Sequence, residues 1–149
     1  MNLYVAYGSN LNIMQMSYRC PGATVAFTGF LLNWKLVYRG SRTGSYATIK
    51  KCKGSKVPVA VWNITARNEE ALDLYEGYPR FYKKQNVYVH QNNGVRKKAM
   101  VYLLPDSATV GIPSDRYIQT VLQGYDDMGF DVRYLYDSLD FNLKEMDKY

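Results

Sequence analysis

Residues Leu3-Tyr4-Val5-Ala6-Tyr7-Gly8-Ser9-Asn10-Leu11 organise this chain. A short apolar run halts at a Gly-Ser-Asn turn, and a helical pattern follows at once, from Asn12 to about Tyr18. A strand that ends in small residues and opens a helix leaves several backbone N–H groups without partners. Gly8 lacks a Cβ, so a ligand can come close to the backbone there. Such a turn suits an anion or a carbonyl oxygen. One reading is a pocket floor that grips a carboxylate. The other is a strand–turn–helix corner with Asn10 as the helix N-cap. Both stand at this stage.

Outward from that turn, Cys20-Pro21-Gly22 breaks the chain. Residues 23–39 read as one long bent strand or two short ones, with Gly29 marking the bend or bulge. Alternation at Trp34, Leu36 and Tyr38 points to a half-buried sheet. A loop at 40–45 leads to a short strand, Tyr46 to Lys51, a basic turn from Cys52 to Lys56, and a further strand, Val57 to Thr65. Thr65 or Asn68 then caps a helix that ends at Gly77, with Pro79 close behind. Tyr82 to His90 and Val95 to Leu104 flank Asn93-Gly94, a hairpin signal. Ser114 caps a helix whose apolar positions Tyr117, Ile118, Val121, Leu122 and Tyr125 keep helical spacing. Asp131 caps a last short helix, and the tail from Phe141 to Tyr149 has weaker pattern and is expected to fray. These elements do not alternate as βαβ, so a doubly wound sheet is excluded. The fold class expected is α+β: a small mixed, mostly antiparallel β-barrel with flanking helices.

The length of 149 residues suits a single domain, residues 1–149, with one core. The unusual figure is 15 tyrosines, which suit strands and also a pocket that is both shaped and hydrogen-bonding. A net charge of +6 raises nucleic acid as a partner. However, the basic clusters at Lys50 to Lys56, Lys83-Lys84 and Arg96 to Lys98 fall at turns and strand ends, as solvated loops and edge protection. The tyrosines lie in strand and helix interiors rather than beside the lysines, against a single-strand RNA platform. No nucleic-acid partner is therefore expected. Two cysteines without CxxC spacing and the single His90 are too few for a zinc site, and a Ser-His-Asp triad would have to run through His90, in a strand pattern. No metal and no cofactor are expected. No stretch reaches the ~18 apolar residues of a membrane span, and Met1 leads straight into a strand with no signal-peptide pattern. The expected compartment is cytoplasmic, without a membrane partner.

Of four glutamates, Glu69 and Glu70 open a helix, where solvated acids belong, and Glu76 ends it. It sits in Leu72-Asp73-Leu74-Tyr75-Glu76-Gly77-Tyr78-Pro79. The helix dipole opposes a negative charge there. Desolvation and an adverse dipole both raise a carboxylate's pKa, which a general base working near neutrality needs. The alternative is a surface glutamate beside a glycine C-cap.

Tyr7-Gly8-Ser9-Asn10-Leu11 after an N-terminal strand resembles the signature of the gamma-glutamylcyclotransferase-like (AIG2-like) family. Leu72-Asp73-x-x-Glu76-Gly77, followed by Tyr82 and a strand, is similar to that family's second signature. The Ala99-Met100-Val101-Tyr102 strand and the Pro113-Ser114-x-x-Tyr117 helix opening are similar too, in order along nearly the whole chain. The resemblance implies an enzyme that cyclises a gamma-glutamyl amide to 5-oxoproline, with Glu76 as the proton-transfer residue. It implies that Tyr7, Gly8, Ser9 and Asn10 line the substrate site, with Tyr4 nearby and Tyr82, Tyr102 and Tyr117 as supporting pocket residues. The partner implied is a small gamma-glutamyl compound, and the chain would be a monomer or homodimer. Tyr117, Gly124-Tyr125 and Asp131 look closer to the branch acting on gamma-glutamyl amino acids than to that acting on amines. A non-catalytic binding module of the same fold is the alternative.

Overall fold

The structure is a computed structural model that describes residues 1–148. The opening apolar run forms β1 (Asn2–Ala6), followed by a 3-10 turn over Ser9–Leu11 and helix α1 (Ile13–Arg19). Then come β2 (Thr24–Arg39), β3 (Tyr46–Ile64), α2 (Ala66–Glu76), β4 (Lys83–His90), β5 (Arg96–Leu103), α3 (Asp115–Met128) and α4 (Arg133–Met146). The strands close into a barrel in the order β1-β3-β2-β4-β5. Neighbours run antiparallel except β1 and β5, whose parallel pairing (Tyr4 opposite Met100) closes it. This is the expected mixed barrel with flanking helices.

Two strand expectations need correction. Tyr46–Lys51 and Val57–Thr65 belong to a single 19-residue strand, β3. The basic stretch between them does not turn the chain. It loops out opposite Asn33, whose Oδ1 accepts the Gly54 N–H at 3.0 Å, and pairing resumes at Leu32–Lys56. Gly29 is not the bend in β2. The register shifts lie on either side, between Val25 and Phe27 and between Leu32 and Trp34. Gly29 is small because β4 crosses it closely: a Cβ there would meet the His90 carbonyl oxygen at 2.4 Å.

Helix ends follow the sequence more closely. Thr65 caps α2 in a capping box with Asn68, and Gly77 ends it in the left-handed conformation (φ 64°) open to glycine at little cost. Ser114 caps α3 by accepting the Tyr117 N–H. Asn12 rather than Asn10 caps α1, its side chain accepting the Gln15 N–H at 3.0 Å. The expected fraying after Phe141 is also overturned. Helix α4 continues to Met146, with Asn142 buried against the barrel; Tyr149 lies outside the described residues. Among the described residues no helix is long and apolar enough to cross a membrane.

The core joins the barrel interior (Val5, Leu31, Ile49, Val59, Val61, Val89, Val101) to the inner faces of α1, α2 and α3 (Met16, Leu72, Val121). It leaves one end of β1 open beneath the 3-10 turn, with α2 on one side and α3 on the other.

Candidate active site

At that open end lies a cavity of about 440 Å³. Its lining includes Tyr4, Tyr7, Gly8, Ser9, Asn10, Glu76, Tyr82, Tyr102 and Tyr117, so every site residue expected from the sequence faces one space. Gln15, Arg19, Tyr46, Tyr75, Phe81 and Thr120 are also among the wall residues and were not expected.

The floor is the Tyr7–Asn10 turn. Gly8 is pressed between β3 and α3: a Cβ would lie 3.1 Å from both the Ala47 Cβ and the Tyr117 hydroxyl. Asn10 is buried and serves the site rather than the helix end. Its Nδ2 donates to the Tyr4 hydroxyl at 2.8 Å, and its Oδ1 accepts from Gln15 Nε2 at 3.0 Å and Arg19 Nη1 at 3.1 Å. Its carbonyl accepts the Trp62 indole N–H at 3.1 Å. Four partners on one buried residue fix the turn in a single arrangement.

The tyrosine walls differ in what their hydroxyls can still do. Tyr7 donates to the Tyr102 carbonyl at 2.8 Å and Tyr82 to the Ala47 carbonyl at 2.7 Å, so both protons are committed. Tyr102 donates to Asp73 Oδ1 at 2.6 Å. Tyr4, whose hydroxyl accepts from Asn10 Nδ2, is not committed in this way, and neither is Tyr117. The Tyr117 oxygen accepts the Ala47 N–H at 3.1 Å, and the Ser9 amide also faces it, which leaves its own proton free to be donated into the cavity. Burial, only partly offset by those two amides, pushes its pKa up to about 12, so it remains a donor at neutral pH.

Helix α2 brings Glu76 to the same cavity. Asp73, one turn earlier, is the tether. Its Oδ1 accepts from Tyr102 of β5 and lies 2.7 Å from Lys84 Nζ of β4, while Glu69 takes the same ammonium at 2.8 Å. Lys84 is therefore a bridge rather than a solvated edge lysine. Burial raises the Glu76 carboxyl from its ordinary 4.5 to about 7, against the opposing pull of Arg19. Its helix neighbours Leu74 and Tyr75 line the same cavity and are exposed. Among the described residues, no cation pairs with this carboxylate. His90 lies outside the cavity, at the end of β4 opposite Phe30.

Residues 4–119 match the family model for gamma-glutamyl cyclotransferase, AIG2-like. The chain belongs to this family. Among relatives of the cyclotransferase family, a human gamma-glutamylcyclotransferase is 29% identical over 140 residues, covering 89% of this chain and 74% of the human one. A bovine gamma-glutamylcyclotransferase matches to the same extent. A solved structure described as gamma-glutamyl cyclotransferase superposes with a TM-score of 0.83 at 27% identity, covering 91% of this chain and 85% of the other. The enzyme class expected from the sequence, gamma-glutamylcyclotransferase-like with its substrate open, agrees with these relatives.

Among the unexpected residues, Arg19 lines the cavity and Asp73 tethers the helix that carries Glu76. Asp73 was part of the second signature, and its spacing of one helical turn from Glu76 was the available signal. Arg19 had none, because its approach to Asn10 depends on the angle between α1 and the 3-10 turn.

Proposed function

We propose that this chain, acting as a single domain over residues 1–149, is a gamma-glutamylcyclotransferase. It cyclises a gamma-glutamyl amide to 5-oxoproline and releases the amine, with Glu76 as general base and then general acid. The observation that carries this reading is that Glu76, with its pKa raised to about 7, lines the same cavity as the Tyr7–Asn10 turn.

The substrate supplies its own nucleophile. Its α-amine attacks its γ-carbonyl carbon, forming the ring C–N bond and placing a negative charge on the carbonyl oxygen. Near neutral pH that amine is mostly an ammonium and cannot attack. The Glu76 carboxylate accepts the proton, and a group with a pKa near the working pH does this without becoming too weak a base. The protonated Glu76 then returns that proton to the amide nitrogen as the oxyanion collapses and the old C–N bond breaks, and the freed carboxylate takes the second proton from the ring nitrogen, which leaves a neutral lactam N–H and lets the amine depart as an ammonium. Each transfer is typically worth ~10²- to 10⁴-fold.

The backbone N–H groups of Gly8 and Asn10 and the free Tyr117 proton are the donors for the substrate's carboxylate and for the oxyanion. The committed hydroxyls of Tyr7 and Tyr82 act as rigid walls. They hold a flexible glutamyl chain folded toward its ring, which contributes through positioning.

The test is Glu76→Gln with the fold verified by circular dichroism. Release of 5-oxoproline from gamma-glutamyl substrates is expected to fall at least ~10²-fold. Normal turnover by this variant would eliminate the mechanism. Tight binding of a gamma-glutamyl compound by the unaltered protein without any 5-oxoproline would point to the non-catalytic binding module instead.

A further inference from the structure

Among the described residues lining the cavity, Arg19 is the one cation. It stands at the mouth. The floor residues Tyr7, Asn10 and Tyr82 are buried, whereas Leu74 and Tyr75 at the opening are 85% and 59% exposed. The Arg19 guanidinium sits 4.6 Å from the centre of the Tyr75 ring, and a single N–H goes to Asn10 Oδ1 at 3.1 Å. A guanidinium carries five N–H donors. Stacking on one face and one hydrogen bond at one edge fix its plane and leave the other edge open. Among the described residues no carboxylate pairs with it at salt-bridge distance. A planar, pre-oriented fork without an anion is a site for a carboxylate.

The proposed reaction says which carboxylate. A gamma-glutamyl amino acid carries two, one on the glutamyl half and one on the leaving group. The floor already offers the Gly8 and Asn10 amides and the Tyr117 hydroxyl to the glutamyl half. The leaving group must then point to the mouth, where it departs. We propose that Arg19 is a specificity-determining residue whose guanidinium binds the carboxylate of the leaving amino acid, so that gamma-glutamyl amino acids are used in preference to gamma-glutamyl amines. This rests on the cyclotransferase reading for the orientation of the substrate. A leaving amine without a carboxylate would leave Arg19 with no anion and would lose a charge-assisted hydrogen bond.

The test compares gamma-glutamyl-alanine with gamma-glutamyl-ethylamine, which differ only in the leaving group's carboxylate. In the unaltered protein kcat/KM is expected to favour the alanine compound by roughly tenfold to a hundredfold, expressed mainly in KM, as one charge-assisted hydrogen bond predicts. Arg19→Met keeps apolar contact with Tyr75 and should erase that preference, and Arg19→Lys should restore part of it. The ratio is insensitive to partial unfolding, or to a changed Glu76 pKa, because both substrates share the glutamyl half. A wild-type protein that does not discriminate, or an Arg19→Met variant that slows both substrates equally, overturns the proposal. If neither compound yields 5-oxoproline, the cyclotransferase reading fails separately. Calorimetric titration with the same two compounds then decides the role of Arg19. Tighter binding of the alanine compound that disappears in Arg19→Met supports it. Equal binding, or none, overturns it.

Discussion

Glu76 is held in a state that favours its proton. Burial raises its pKa from 4.5 to about 7, so between those values the folded chain binds more protons than the unfolded chain. Stability therefore falls as pH rises through this window, and the full penalty is present above pH 7. Glu76→Gln removes it. The variant is expected to match the parent near pH 4 and to be more stable at pH 8 by up to about 3 kcal/mol, which a shift from 4.5 to about 7 spans. Urea denaturation at the two pH values measures this, and a pH-independent difference would place the carboxylate in solvent. The same titration sets the rate profile. With Glu76 as base, kcat/KM should rise with pH through about 7. Because Arg19 opposes the shift, Arg19→Met is expected to move that limb to higher pH for any substrate. In the proposed role of base, Glu76 would be costly to the fold and needed unprotonated for chemistry, an exchange of stability for activity.

Between elements, the decisive contact is α3 against the 3-10 turn. Gly124 makes it: a Cβ there would lie 2.6 Å from the Leu11 Cβ and 2.8 Å from the backbone nitrogen of Asn12. On helix propensity alone, Gly124→Ala should stabilise α3 by ~1 kcal/mol. The atoms it would strike are backbone and a Cβ, which cannot swing aside, and overpacking of that kind typically costs about 1–3 kcal/mol. The steric effect is expected to win, with a net loss of about 1–2 kcal/mol in denaturant melts. Since Tyr117 rides on α3 and holds the Ala47 amide, activity should fall with it. A stabilised variant with full activity would show that α3 can retreat freely. The signals that hold such elements in place differ in how local they are. The caps at Thr65, Ser114 and Gly77 act within a few residues, so they were legible in the sequence. So was the gathering of Glu76 with the Tyr7–Asn10 turn, through the resemblance of two short motifs. Asn10 was left open between helix cap and pocket floor because an asparagine before a helix looks the same whether its side chain caps the helix or turns inward. The loop-out at 52–55 was misread because basic and glycine residues mark a turn and a wide bulge alike; only pairing with Asn33 separates them.

At the scale of the whole molecule, α4 shows why an apolar pattern underestimates the tail. Its grip on the barrel is polar. Asn142 Oδ1 accepts the Tyr38 N–H at 3.0 Å, its Nδ2 donates to the Gly111 carbonyl at 2.6 Å, and the Tyr38 and Ser138 hydroxyls lie 2.7 Å apart. Arg39 of β2 reaches Glu145 at 2.7 Å, with side chains only 6% and 14% exposed. Periodicity of apolar residues is blind to such anchors, and the partner of Glu145 lies far off in the sequence, on β2. An exposed ion pair would contribute ~0–1 kcal/mol. Here the pair is largely removed from water, so breaking it from one side leaves a buried guanidinium beneath α4. Glu145→Ala is therefore expected to cost about 3 kcal/mol, while the double change Arg39→Met with Glu145→Met should lie much nearer the parent, because no buried charge remains. Neither residue lines the substrate cavity, so kcat/KM measured well below the melting range should be retained in all three proteins. Loss of stability below about 0.5 kcal/mol in Glu145→Ala would mean that water reaches the pair. Loss of activity without loss of stability would mean that α4 bears on the cavity through β2 and β3.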